Sequence, residues 1–71
     1  MSGLAERVRA AAMRVVRAER EKPGTYPEEV VEMAVKVLLT PVPQLRRELR
    51  MLEEQGRLSI LDPLFEVRTS R

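Results

Sequence analysis

Leu4, Val8, Ala11, Val15 and Ala18 recur at steps of four and three, with Ala12 and Val16 beside them, so residues about 3–21 are predicted to form an amphipathic helix. Pro23-Gly24 ends it. Thr25 and Glu28 have the spacing of a capping box, Pro27 is tolerated in a first turn, and the run from Glu28 to Leu39 is apolar on most sides. This predicts a second, buried helix over about 26–39. Pro41 and Pro43 each bias the residue before them away from helix, which makes "TPVP" a tight turn. In the next segment Val42, Leu45, Leu49 and Leu52 share one helical face, and Gly56 stands just past its end, so a third helix is predicted over about 43–55.

After Gly56 the period changes. Leu58 and Ile60, then Phe65 and Val67, alternate with other residues on either side of Asp62-Pro63, the pattern of a β-hairpin over about 57–68. A type I turn at Asp62-Pro63 would set Ile60 opposite Phe65 and Leu58 opposite Val67. The expected fold class is therefore mainly α with a C-terminal β-hairpin, in one domain over 1–71.

At 71 residues a single core supplies about 3–5 kcal/mol, so additional support would matter. The chain has no Cys, which excludes disulfides and thiolate metal sites, and no His, the commonest metal ligand and neutral-pH acid–base group. Thr25 and Ser59 have no base partner, and there is neither a glycine-rich loop nor metal-ligand spacing. An enzyme, a cofactor, a metal and a small-molecule ligand are accordingly not expected. No apolar run approaches a membrane span, and the N-terminal stretch is charged throughout, unlike a signal peptide; the expected location is the cytoplasm.

Charge is unevenly distributed. Residues 1–22 hold six basic and three acidic groups, residues 23–41 one and three, residues 42–56 three of each, and residues 57–71 three and two. Arginine supplies most of the positive charge, and the sequence pI is near 9.7, a lean toward polyanions. In the third segment Arg46, Arg47 and Arg50 come early, while Glu53 and Glu54 come late. A simply solvated helix would place its acids first to suit the dipole, so this order favours a binding face.

Three helices running into a hairpin are the winged-helix arrangement, and "QLRRELRMLEEQG", Gln44 to Gly56, resembles the recognition-helix region of DeoR-type bacterial repressors. The resemblance implies that Gln44, Arg46, Arg47 and Arg50 face DNA while Leu45, Leu49 and Leu52 face the core. It also implies a wing, although Asp62-Pro63 stands where DNA-binding wings usually carry Arg or Lys. In the expected hairpin register Arg57 and Arg68 are directly opposed, and a phosphate between them would relieve their repulsion, so both are candidate backbone contacts.

The expected function is double-stranded DNA binding by a small transcriptional regulator, with the third helix in the major groove. The alternative is a winged-helix module that binds protein and not DNA. The first-helix stripe, with small residues at two heptad positions, packs inside the monomer or supports a homodimer suited to a palindromic site.

Overall fold

The computed structural model describes residues 3–66. They form helices α1 (Leu4–Glu21), α2 (Glu28–Leu39) and α3 (Val42–Glu54), a 3-10 helix (Leu58–Leu61) and a one-turn helix α4 (Asp62–Phe65). α1, about 27 Å long at 1.5 Å per residue, is the element on which the others are built. It packs against α2, α3 and α4, and most extensively against α2.

Small residues make that packing close. Ala5, Ala11 and Ala12 of α1 are buried, as is Ala34 of α2, so the core around α1 is built largely of short side chains. Val8 and Val15 fill the same seam, and Tyr26, Val30 and Val37 close it from the α2 side. The stripe that could have served a homodimer is thus spent within the chain: Val8, Ala11 and Val15 are buried, with Leu4 and Ala18 packed against the cluster. Leu45 and Leu49 anchor α3 to this core.

The join between α1 and α2 differs from the expected capping box. Thr25 donates its hydroxyl hydrogen to the Lys22 carbonyl at 2.5 Å, and Pro27 is the cap residue. The carboxylate of Glu19, on α1, instead accepts the N–H groups of Gly24 at 2.6 Å and Tyr26 at 3.2 Å. A side chain from the preceding helix therefore holds the turn, while the start of α2 has no side-chain cap.

α3 stops as its sequence implies. Gly56 takes φ +68°, its N–H donates to the Glu53 carbonyl, and the Arg57 N–H donates to the Leu52 carbonyl at 2.8 Å. This pair of bonds is a Schellman motif, which requires the left-handed conformation that glycine adopts without a Cβ penalty.

The expected hairpin is absent: no strand occurs among the described residues, and Leu58 to Phe65 are helical. The segment carries two overlapping patterns. Alternation pairs Ile60 with Phe65, whereas Leu58, Leu61 and Leu64 recur every third residue. The second pattern prevails, because Leu61 and Leu64 enter the core while Ile60 and Phe65 remain 42% and 39% exposed. A lone two-stranded hairpin is marginal in water, and one helical turn seated on α1 and α2 gains more burial. Pro63 fits this turn because its ring presets φ and its missing N–H would be unpaired in a first turn anyway. Asp62 is helical despite preceding a proline, so tertiary packing overrides the local bias. Val67 and Arg68, assigned to the second strand, lie outside the described residues.

The two patterns predict opposite mutational effects. Leu64 has no exposed surface, so Leu64→Ala should cost about 2–5 kcal/mol, enough to unfold much of a domain this small. Phe65→Ala should cost under about 1 kcal/mol. Urea unfolding monitored by circular dichroism would measure both, and the reverse order would restore the alternating pattern.

Candidate functional site

α3 follows α2 after only Thr40 and Pro41, giving a helix–turn–helix in sequence order. Leu45 and Leu49 point inward, which at 100° per residue sends Arg47 directly outward. Arg46 and Arg50 turn toward α1, and both border a shallow depression with Leu4, Glu6 and Glu53. Gln44 and Met51 turn the other way, toward α2. From Pro43 to Met51 the outward face thus presents Gln44, Arg47 and Arg50, all exposed, and no acid. Glu48 lies off this face, on the α2 side, and Glu54 follows one turn beyond Arg50.

The start of α3 adds to this polarity. Its cap residue is Pro41, no side chain caps it, and its first turn has no acid. The free backbone N–H groups there leave the positive end of the helix unneutralised. No ion pair or side-chain hydrogen bond engages Gln44, Arg47 or Arg50 among the described residues.

Arg46 differs from its neighbours. Its Nη2 donates to Oε1 of Glu6 at 3.0 Å, joining α3 to α1 across forty positions of sequence. Both side chains are well exposed, 63% and 48%, so water screens the pair and a competing anion could displace Glu6. Glu6 is the third residue of α1, where a carboxylate can turn back on the open helix N-terminus. Its own backbone N–H, and then the Arg46 guanidinium, hold its carboxyl below the usual range.

Arg57 is exposed but sits past the opposite end of α3, whose axis runs roughly 15 Å from Gln44 to Glu54. The strand pairing that would have opposed it to Arg68 does not form, because residues 58–61 are a 3-10 helix. Arg68 is outside the described residues. The five candidates among the described residues therefore divide: Gln44, Arg47 and Arg50 share one free face, Arg46 is tethered at its edge, and Arg57 stands apart.

A second surface was not legible along the chain. α2 and α3 barely touch, and an open groove of about 620 Å³ runs between them. Val8, Val37, Leu45, Leu49 and Leu61 form its buried floor, and Met33, Met51, Leu52 and Ile60 form its apolar walls. Glu29, Glu32 and Glu48 stand on the rim with Lys36. Met33 and Met51 share no stripe in the sequence because they belong to different helices; only the acidic balance of residues 23–41 hinted at the rim. Among the described residues no polar or charged side chain is buried, so all of this chemistry is at the surface. No helix there is long and apolar enough to cross a membrane.

The Glu6 tether has a pH signature. A carboxylate with a depressed pKa stabilises the fold above its unfolded pKa, and that contribution disappears as pH falls through the folded value. Glu6→Gln should lower the urea midpoint slightly at neutral pH and leave it unchanged below the folded pKa of Glu6. Urea titrations of both proteins across a pH series should show the two curves converging on acidification. Comparison with known proteins adds no relative to this geometry: no family model, curated protein or solved structure matches the chain.

Proposed function

We propose that the chain binds double-stranded DNA through α3, as a small transcriptional regulator in the cytoplasm. The observation that carries this reading is the acid-free outward face of Gln44, Arg47 and Arg50 at the start of a helix that follows its predecessor after a two-residue turn. An α-helix of 10–12 Å diameter fits the roughly 12 Å major groove. There Arg can make bidentate contacts to guanine and Gln to adenine. The likeness of Gln44–Gly56 to the recognition region of DeoR-type repressors supports the same assignment, without the wing.

Arg46 joins this face by exchanging Glu6 for a phosphate, since the pair it leaves is weak. Arg57 is assigned to the phosphate backbone beyond the other end of the helix. Residues 3–66 hold eleven basic and eleven acidic groups, so no strong general field draws DNA in. Binding then depends on the few charges of one face, and its salt dependence is modest.

The test is fluorescence anisotropy on a random-sequence duplex across a salt series. Replacing Arg47 and Arg50 together by Ala should weaken binding and reduce the salt slope by about one unit for each phosphate these arginines neutralise. Arg14→Ala with Arg17→Ala, exposed on α1, should have a smaller effect. Glu6→Gln should tighten binding by releasing Arg46. If the wild-type chain fails to bind at low salt, DNA recognition is wrong and the interaction-module reading replaces it.

A further inference from the structure

The groove between α2 and α3 has the makings of a helix-docking site distinct from the arginine face. It is apolar along floor and walls, and its large exposed residues Met51 and Ile60 are 57% and 42% accessible. Thioether side chains suit such a surface, because Met33 and Met51 can repack around differently shaped partners. The α2 wall from Glu29 to Thr40 runs roughly 16 Å, the length of three helical turns. Three carboxylates, Glu29 and Glu32 on one wall and Glu48 on the other, flank the apolar strip against a single base, Lys36.

We propose that this groove binds an amphipathic helix of a partner protein, with Leu- or Ile-like anchors at i, i+3 or i+4 and i+7 and with Lys or Arg on both flanks. The anchors lie along Met33, Leu52 and Ile60, and the cationic flanks meet Glu29, Glu32 and Glu48. Charge decides between the occupants. Nucleic acid and anionic lipid surfaces are repelled by the rim. A second copy is disfavoured because the two helices of this chain that pair an apolar stripe with arginines, α1 and α3, both turn that stripe into the chain's own core. The occupant is thus a foreign helix, positively charged at its edges.

The experiment uses the full chain and a set of fluorescein-labelled designed helical peptides of about twelve residues. They share leucines at i, i+4, i+7 and i+11 and differ in flanking residues, all Lys, all Glu or neutral Gln, with a scrambled Lys peptide of equal charge. The Lys-flanked helix should bind in the micromolar range and at least about tenfold tighter than the Glu-flanked one, a preference that shrinks with salt. In the triple variant Glu29→Lys, Glu32→Lys, Glu48→Lys the preference should reverse. Ile60→Ala, an exposed groove residue, should weaken the Lys-flanked peptide while leaving the melting curve close to wild type. Duplex DNA affinity recorded on the same variants separates the two surfaces, since Ile60→Ala lies off the arginine face and should leave it unchanged. The proposal is overturned by equal affinity for the Lys-flanked helix and its scrambled form, by no binding of any Lys-flanked peptide at millimolar concentration, or by sedimentation showing that the chain fills the groove through a dimer that Ile60→Ala dissociates.

Discussion

Everything in this molecule rests on the close seat of α2 against α1. A chain of 71 residues has little apolar surface to bury, and this one has a single Tyr and a single Phe to supply aromatic bulk. Buried alanines at 5, 11, 12 and 34 keep the core small in volume, and Val8 and Val15 are fully enclosed in it. Such close packing favours dispersion and exclusion of water over sheer side-chain bulk. Because α1 gives its inward face to this seam, α3 and α4 take what remains, and they are held by few residues: Leu45 and Leu49 for one, Leu64 for the other.

That economy explains where the groove comes from. α3 is anchored on α1 and the 3-10 helix, not on α2, so the space between α2 and α3 is closed below by the core and open above. The single ion pair among the described residues, Glu6 with Arg46, fastens the opposite edge of α3. The helix is thus pinned along the α1 side and unsupported along the α2 side. Its outward arginines owe their freedom to the same arrangement, because no acidic neighbour from α2 reaches them.

Much of this could be read from the amino-acid order, where local spacing and tertiary packing agree. The steps of three and four in Leu4–Ala18 and in Leu45–Leu52 describe buried faces that the structure contains, and Gly56 marks a stop whose hydrogen bonds are all local. The reading fails where two periods coexist or where a distant group intervenes. Leu58, Leu61 and Leu64 compete with Ile60 and Phe65 for the core, and only α1 and α2 together decide between them. Thr25 and Glu28 have capping-box spacing, but Glu19 reaches the turn first. The outward position of Arg47 follows from helical geometry alone, whereas the engagement of Arg46 by Glu6 and the placing of Met33 and Met51 along one groove need the third dimension.

Arg47 and Met51 stand four residues apart on α3 and so are neighbours on its surface: Arg47 looks outward, and Met51 borders the groove. Charge brought into the groove would therefore be felt at the arginines, and the exchange would be reciprocal, since any ligand that alters affinity at a second site has its own affinity altered by the same factor. A cation lodged beside Glu48 would also cancel negative charge next to the arginine face, giving that coupling a definite, favourable sign toward polyanions. One short helix would then act as the thermodynamic link between what the chain is attached to and what it can hold.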